Sequence, residues 1–354
     1  MFTEIKNEMS EVAVKKVNFK LNNREFNTYL KDLTKEFRIF APINKKGKGK
    51  FAETDVIGYG EISKVEDIIF DKKSYFSPKE IFYPIRETLF YFKDNEIEVP
   101  KIEVKPIIIF ARPCDLNGIR KLDTIFLKNG KDVDTYYKRR RELVKFIMIE
   151  CSEGFDTCFC VSMNSNISND YDAVLRFERD DILLKIKDQN LKTETLREAL
   201  NEDFEVEFVK ENKIKVNIPN VEKITKESFE NEAWKEYASR CIACGRCNTS
   251  CITCSCFTMQ DVKLSDNKRI GERRRVWAAC HVDGFTDMAG GHNFRDSKGD
   301  RMRFKTMHKV NDYYKRFDEH MCVGCGRCDD VCPEYISFSK CINKLNEIVE
   351  GGNK

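Results

Sequence analysis

Two short stretches of the chain, CIACGRCNTSC (residues 241–251) and CVGCGRCDDVCP (residues 322–333), carry the same arrangement of cysteines. In each stretch, three cysteines are separated by two residues, and a fourth follows after three more. This spacing is typical of bacterial [4Fe–4S] cluster motifs. Three thiolates on one tight loop can wrap a cuboidal cluster, and Gly245 and Gly326 lie where the backbone must turn sharply near the sulfurs. The sequence therefore predicts two [4Fe–4S] clusters.

The fourth cysteine of each motif is expected to begin the next helix and to point away from its own loop. In two-cluster ferredoxins that cysteine ligates the other cluster. We therefore expect two crossed ligand sets. The first set is Cys241, Cys244, Cys247 and Cys332, and the second set is Cys322, Cys325, Cys328 and Cys251.

Structural zinc is the alternative interpretation of these thiols. Zinc requires four tetrahedral ligands, usually supplied by two separated C-x2-C pairs. Two loops with three closely spaced thiols and a fourth behind them exceed that need, which favours iron–sulfur clusters. The motifs differ from a small ferredoxin because Ile252, not proline, follows Cys251, and because seventy residues separate Cys251 from Cys322. The two motifs must fold together around this insertion.

Composition restricts the class of protein. The 354 residues include sixteen cysteines, of which twelve lie between Cys241 and Cys341, and the net charge is +3. A secreted disulfide scaffold would be much shorter, and a dedicated nucleic-acid binder would carry a larger positive excess. We expect reduced thiols, many of them metal ligands, and no nucleic-acid partner.

The sequence also indicates where the protein works. The longest aliphatic run, Ile107–Ala111, is too short for a membrane-spanning helix, which needs about 20 apolar residues. The first residues, MFTEIKNEMSEVAVKK, contain no apolar segment of the kind found in signal peptides. We expect a cytoplasmic protein without a membrane partner.

The uneven distribution of cysteines suggests two domains and an α+β fold class. Residues 1–235 are predicted to form a mixed α/β domain, and residues 236–354 an α-helical ferredoxin-like domain whose two motifs flank the insertion 252–321. Apolar periodicity predicts helices at Arg24–Phe37, Pro78–Phe92 and Thr225–Ser239, strands at Lys105–Ala111 and Leu143–Ile149, and hairpins over residues 173–186 and 204–218.

The four cysteines of the N-terminal part suggest a further centre. Cys114 and Cys151 each follow a predicted strand, and Cys158 and Cys160 come shortly afterwards. Two strand ends and one loop that converge at one edge of a sheet would bring the four thiols together. This predicts a third iron–sulfur cluster, with Asp115 as an oxygen ligand that could replace one thiol. The spacing matches no standard motif, so unrelated buried cysteines and zinc stay open as alternatives.

Further polar side chains lie between and around the motifs. Cys254, Cys256 and Cys280 are interpreted as buried thiols near a cluster or as groups that cap or replace a ligand, and Cys341 as a core residue. The histidines are interpreted as structural or as neighbours of a cluster, because no paired Rieske-type motif is present: His281, His292, His308 and His320. Two basic patches are interpreted as solvated faces or as docking sites: Lys268, Arg269 and Arg273–Arg275, and Lys138–Arg141.

Motifs for organic cofactors and for covalent catalysis are missing from the sequence. It contains no G-x-G-x-x-G after a strand, no P-loop, and no recognisable serine or cysteine triad. Sirohaem reductases pair a C-x5-C with a distant C-x3-C, and the nearest match here, Cys151 and Cys158, is one residue too long. We expect no catalytic residues and no substrate chemistry by this chain alone.

Several segments resemble the iron–sulfur electron-transfer subunit of the bacterial anaerobic sulfite reductases. They are CIACGRCNTSCITCSCFTMQD (241–261), GERRRVWAACHVDGFTDMAGGHNFR (271–295), HMCVGCGRCDDVCPEYIS (320–337), YFSPKEIFYPIRETLFYF (75–92) and ARPCDLNGIRKLDTIF (111–126). The insertion between the motifs is the specific part, since generic ferredoxins lack it. The wider family includes the β subunits of soluble nickel–iron hydrogenases.

The resemblance implies an assembly of three subunits. A flavin subunit would oxidise NAD(P)H, a sirohaem subunit would reduce sulfite to sulfide, and this chain would relay single electrons between them. The alternative is the cluster-bearing β subunit of a soluble hydrogenase-like complex. A zinc scaffold without redox function is the interpretation from a different class.

Overall fold

The computed structural model describes residues 17–49, 53–101, 105–264 and 269–351. Its strands are β1 Asn18–Asn22, β2 Arg38–Lys45, β3 Val56–Glu61, β4 Arg86–Lys93, β5 Glu96–Glu98, β6 Ile107–Ala111, β7 Val144–Ile149, β8 Ala173–Phe177, β9 Asp181–Ile186, β10 Phe257–Lys263 and β11 Ile270–Trp277. Its α-helices are α1 Asn23–Leu33, α2 Pro113–Leu127, α3 Thr135–Arg141, α4 Thr195–Glu198, α5 Lys226–Glu230, α6 Glu236–Arg240, α7 Arg246–Thr249, α8 Lys298–Met307, α9 Tyr313–Phe317, α10 Arg327–Asp330 and α11 Phe338–Gly351. Short 3-10 turns cover Val65–Asp67, Pro78–Ile81, Gln189–Leu191, Val221–Lys223 and Glu232–Lys235, and a π-helical turn, His308–Asp312, joins α8 to α9.

The larger sheet has seven strands in the order β1-β9-β8-β7-β6-β2-β3. Strands β2, β6, β7 and β8 run parallel, and the outer strands are antiparallel to their neighbours. All five residues of β6 are buried, as expected for a parallel strand covered on both faces. The carboxyl ends of β6 and β7 therefore lie side by side at one edge of the sheet.

Two apolar layers cover the two faces of this sheet. Helix α1 packs on one face through buried residues of a single stripe, including Phe26, Leu30 and Leu33. This confirms the predicted helix, which ends at Leu33 and not at Phe37. Helix α2 packs in the core of the other face. That second core also contains Ile252, directly after the first motif, and Val323 and Cys325 of the second motif, so the region of the motifs is part of the packing of the N-terminal sheet.

A second sheet has four antiparallel strands in the order β10-β11-β4-β5. Strands β10 and β11 come from the insertion between the motifs, whereas β4 and β5 come from the N-terminal part. The insertion thus adds two strands to the ferredoxin-like region and joins it to the rest of the protein through backbone hydrogen bonds.

The predicted helix Pro78–Phe92 is wrong. The structure has a 3-10 turn at Pro78–Ile81 and then strand β4. Pro84 removes one backbone donor and disfavours helical geometry at the residue before it. Beyond that proline, Glu87 and Leu89 alternate inward while their neighbours face outward, a period of two that pairs with β11.

The other local predictions have mixed outcomes. The strands ending at Ala111 and Ile149 and the first hairpin, β8–β9, are confirmed. The second hairpin, over residues 204–218, is wrong within the described residues, because this segment bonds to its neighbours instead of to itself. Val209 N donates to Cys151 O at 2.7 Å, and Val216 N donates to Ser162 Oγ at 3.1 Å.

The helix predicted at Thr225–Ser239 is broken into three short pieces. The break is at Asn231, whose backbone is extended (φ −62°, ψ 133°) and whose side chain accepts a hydrogen bond from Ala233 N. Asparagine competes with helical backbone bonding in this way. The following turn directs Trp234 into the core near the cysteine motifs.

Candidate iron–sulfur centres

Both four-cysteine motifs adopt the same local geometry. Each loop ends at a glycine in the left-handed region, Gly245 with φ 71° and Gly326 with φ 70°. A short helix follows each glycine, α7 in the first motif and α10 in the second, and carries the third cysteine. Glycine adopts this turn without steric cost, so both motifs place three thiols on one side of a tight loop.

The thiols of the first predicted set line one cavity. Its cysteine lining includes Cys241, Cys244, Cys247 and Cys332. Cys332 comes from the second motif, as crossed ligation requires. Cys328 of the second set also reaches the wall of this cavity, so the two thiol sets are neighbours.

The thiols of the second predicted set also lie near one another. Burial raises the pKa of Cys322 to about 12, and the neighbouring Cys251 and Cys325 thiolates contribute to that rise. Burial likewise raises the pKa of Cys328, which lies close to Cys322 and Cys325. Cys251 of the first motif is thus placed beside the second loop.

The first thiol set has the composition that a cluster needs. It brings together three thiols from one tight loop and a fourth from the other motif. Four thiolate ligands of this kind are what a [4Fe–4S] cluster takes.

Comparison with known proteins gives the same assignment. Residues 240–336 match the family model described as a 4Fe-4S dicluster domain. The C-terminal part is a 4Fe-4S dicluster domain. It therefore holds two [4Fe–4S] clusters.

A relative matches the chain along nearly its whole length. The sulfhydrogenase 2 subunit beta of Pyrococcus furiosus is 27% identical over 342 residues, which cover 93% of this chain and 98% of the relative. No solved structure matches the chain. Within the described ranges, no helix has both the length and the apolar character needed to cross a membrane.

Three further cysteines lie close to the dicluster motifs. A hydrogen bond with Cys254 is the main reason that the pKa of Cys251 is well below its usual value. Asn248 Nδ2 donates to Cys280 Sγ at 3.0 Å, and Cys256 lies near Cys280. Cys341 is fully buried in α11, where its thiol donates to Ser337 O at 3.2 Å.

Buried lysines around the dicluster motifs were missed by the sequence analysis. Lys79, Lys305 and Lys309 are each 3% exposed or less. Lys79 Nζ donates to the carbonyls of Cys251 and Cys254 at 2.8 and 2.7 Å. Burial alone would lower the pKa of Lys309, but the thiolates of Cys251, Cys254 and Cys322 raise it above its usual value. These ammonium groups place positive charge beside the thiolates.

No sequence signal pointed to these lysines. Lys79 is about 170 residues from the motif that it contacts, and Lys305 and Lys309 resemble ordinary exposed helix lysines in sequence. Their burial is a tertiary property. It is notable because lysine is almost never fully buried unless paired.

Of the histidines, His281 lies at the first thiol set. It is 1% exposed and lines the cavity of that set. Neither of its ring nitrogens has a hydrogen-bond partner among the described residues. His320 is satisfied by Val310 O at 2.8 Å, and His308 lies 4.0 Å from Asp312.

The four N-terminal cysteines also converge. Cys114, Cys151, Cys158 and Cys160 line one cavity. Asp115 is not among its lining residues. Its carboxylate forms a two-oxygen ion pair with the buried Arg327 guanidinium, with distances of 2.5 and 3.0 Å.

The basic patches are largely neutralised. Arg273 pairs with Asp261, and Arg275 is buried against Glu87 and Asp134. Lys268 lies outside the described residues. In the second patch, carboxylate partners are present for Lys138, Arg140 and Arg141. Because most of these basic side chains are paired with carboxylates, the two basic patches are better interpreted as solvated faces than as docking sites.

Proposed function

We propose that this chain is the iron–sulfur electron-transfer subunit of an anaerobic sulfite reductase. In this role it passes single electrons from an NAD(P)H-oxidising flavin subunit to a sirohaem subunit that reduces sulfite to sulfide. The observation that supports the relay function is the position of Cys332 of the second motif, which lines the first cavity beside Cys241 and Cys244. If each motif supplies its fourth cysteine to the other cluster, the two clusters lie next to each other inside one domain.

The dicluster domain provides what a relay needs. A [4Fe–4S] cluster supplies one-electron redox chemistry when it is bound. Cys241, Cys244, Cys247 and Cys332 would hold the first cluster, and Cys322, Cys325, Cys328 and Cys251 the second. The buried lysines offset the negative charge that four thiolates concentrate at each centre.

The proposed reaction explains why such a relay is useful. NAD(P)H delivers two electrons together, whereas reduction of sulfite to sulfide takes sulfur from the +4 to the −2 state and consumes six electrons. Clusters that move one electron at a time connect these two reactions. The sequence contains cluster motifs but neither a dinucleotide fingerprint nor a sirohaem motif, so both terminal reactions are assigned to partner subunits.

A second candidate function is supported by the relative from Pyrococcus furiosus. That protein is named as the β subunit of a sulfhydrogenase. The alternative is therefore that this chain serves as the cluster-bearing β subunit of a hydrogenase-like complex, with a nickel-containing partner in place of the sirohaem subunit. Both candidates assign electron relay to this chain and differ in the partner.

The test is purification of the native complex under strictly anaerobic conditions through a tag on this chain. We expect flavin and sirohaem to copurify, together with NAD(P)H-dependent sulfite reduction that is lost when this chain is omitted from reconstitution. Nickel with hydrogen-dependent NAD(P)⁺ reduction would support the hydrogenase-like alternative. Full activity of the two partner subunits without this chain would contradict the relay function in both forms.

A further inference from the structure

The second cavity lies at the carboxyl edge of the seven-stranded sheet. Cys114 is in the first turn of α2, directly after β6, and Cys151 follows β7. Cys158 and Cys160 come from the loop that follows. Three separate chain segments therefore deliver four thiols to one cavity.

This cavity resembles the cavity of the first dicluster set. Both are lined by the four cysteines of one predicted set together with a buried cationic side chain, Lys305 in the first cavity and Arg327 in the second.

Cationic side chains surround the thiols of the second cavity. Lys73, Arg112 and Arg327 are among its lining residues. Arg327 is almost fully buried, and Lys73 is largely buried. Arg327 is paired with Asp115 and Lys73 with Asp330, whereas the Arg112 guanidinium donates to the backbone carbonyls of Phe70 and Lys72. A cluster held by four thiolates would carry a net negative charge, and Arg112 places a positive charge in the same lining.

The cavity is in direct contact with the loop of the second thiol set. Phe159 N donates to Gly324 O at 2.8 Å, and Lys73 Nζ donates to Cys325 O at 3.0 Å. The Cys158 thiol lies 3.6 Å from the same Cys325 carbonyl. A centre in this cavity would therefore adjoin the second cluster and extend the line of centres into the N-terminal part.

We propose that Cys114, Cys151, Cys158 and Cys160 hold a third [4Fe–4S] cluster. The site follows from the geometry of the cavity, and only its use as an additional relay rests on the proposed function. In that use the cluster takes up one electron from a one-electron donor and passes one electron to the second cluster.

The test is a count of iron and acid-labile sulfide per chain in the anaerobically purified full-length protein. We expect about twelve of each for the wild type and about eight of each for the double variant C158S/C160S. C341S is the matched control, because Cys341 is a buried thiol that lines neither cavity. It should retain about twelve.

About eight iron atoms in the wild type, with or without zinc, would overturn the proposal, and so would about ten of each, the sum expected for a [2Fe–2S] centre. If the double variant does not fold, Mössbauer spectroscopy of the ⁵⁷Fe-labelled wild type decides, since three clusters give half again as much [4Fe–4S] iron as two. The count does not depend on partner subunits. Its failure is therefore distinguishable from failure of the sulfite reductase assignment.

A different observation concerns His281. Its ring is buried against the cavity of the first thiol set, and no described residue accepts from or donates to either ring nitrogen. An imidazole carries at least one N–H at any pH reached by proteins. A buried donor without a partner is costly, and the sulfurs of a cluster in this cavity are the acceptors at hand.

We infer that His281 donates a hydrogen bond to a sulfur of the first cluster and so raises its reduction potential, as hydrogen bonds to cluster sulfurs do. In an anaerobic redox titration followed by EPR, H281F should shift one cluster to a more negative potential with unchanged iron content. H281N, which keeps a donor, should recover part of the shift. H308F is the control and should leave both potentials unchanged.

An exchangeable-proton signal in ENDOR spectra of the first cluster should also disappear in H281F. If H281F loses the first cluster, the test uses H281N instead. We expect H281N to retain both the cluster and the exchangeable-proton signal. An unshifted potential together with a retained signal would overturn the inference.

Discussion

The two cysteine motifs have identical spacing and nearly identical backbone geometry but lie in different surroundings. The first is close to the surface: Cys244 is the one exposed cysteine of the sixteen, and Arg246 is exposed as well. The second is enclosed by the N-terminal part, where Cys325 and Arg327 are buried. Arg246 and Arg327 occupy the same position in the motif, between the glycine and the third cysteine.

This difference separates two roles of the sequence. The spacing determines where the thiols stand around a cluster, which is a local property. The surroundings determine whether that cluster is near solvent or inside the protein, which depends on distant segments. At Gly326 an added Cβ would collide with the backbone carbonyl of Thr157, whereas at Gly245 it would meet only side chains, of Val282 and Ala279. The second motif is therefore fitted to its neighbour more closely than the first.

The largest expected effect is loss of the second cluster. Cys325→Ser should remove about four iron atoms per chain and abolish relay activity, because a serine oxygen replaces a thiolate ligand. The seven-stranded sheet should remain folded, since it has its own core. Iron analysis, far-UV circular dichroism and the reconstituted activity measure these effects. Cys341→Ser should do little, and equal damage from both variants would refute the ligand assignment.

The paired arginines provide the next largest contrast. Arg327→Met would leave the carboxylate of Asp115 buried without its partner, and breaking such a pair costs about 3–5 kcal/mol. Arg246→Met changes an exposed side chain and should stay within about 0.5 kcal/mol of the wild type. Anaerobic guanidinium unfolding followed by circular dichroism compares the two. Equal midpoints would show that the enclosure of the second motif contributes nothing to stability.

The paired glycines should give a smaller contrast. Both Gly245→Ala and Gly326→Ala impose the left-handed conformation on alanine, at a cost of roughly 1–2 kcal/mol. Gly326→Ala adds the collision with the Thr157 carbonyl, for about 1–3 kcal/mol more. The rate of cluster bleaching at fixed temperature should therefore rise further in Gly326→Ala than in Gly245→Ala. The reverse order would contradict the difference in packing.

The smallest expected difference is between the rates at which the two clusters are lost to a chelator. Because Cys244 is exposed and the cysteines of the second loop are mostly buried, an iron chelator should remove the first cluster faster than the second. Visible absorbance should then decay in two phases, and Cys325→Ser should retain the fast one. Single-phase decay of the wild type, with both clusters lost together, would show that the environments do not differ in access.

Local patterns account for what could be predicted from the sequence. The cysteine spacing predicts the two clusters of the dicluster domain, and the apolar alternation on either side of Asp180 predicts the β8–β9 hairpin, because neighbours in sequence create both. The convergence of Cys114 and Cys151 followed from the rule that parallel strand ends share an edge. Each of these inferences needed only nearby residues or a topological rule.

What was missed depends on partners that are far away in sequence. Strand β4 resembled a helix because its apolar residues fit both periods, and its pairing with β11 decides the outcome. Lys79 and the Arg327–Asp115 pair have no local signature, since each is explained by a segment more than 170 residues distant. The second hairpin failed for the same reason, as its backbone donors bond to other loops.

The second sheet also determines the order in which parts of the protein can form during synthesis. Strand β4 leaves the ribosome long before β11, and translation at about 5–20 residues per second separates their synthesis by roughly 10–35 s. During that interval the nascent chain presents one open edge of β4, a template for pairing with other chains. Cofactor insertion into the two motifs must come later still, because the last cysteine of the first set is Cys332. Maturation of the protein therefore has two late steps. Strand β11 first pairs with the open edge of β4, and the clusters are inserted after Cys332 has been synthesised.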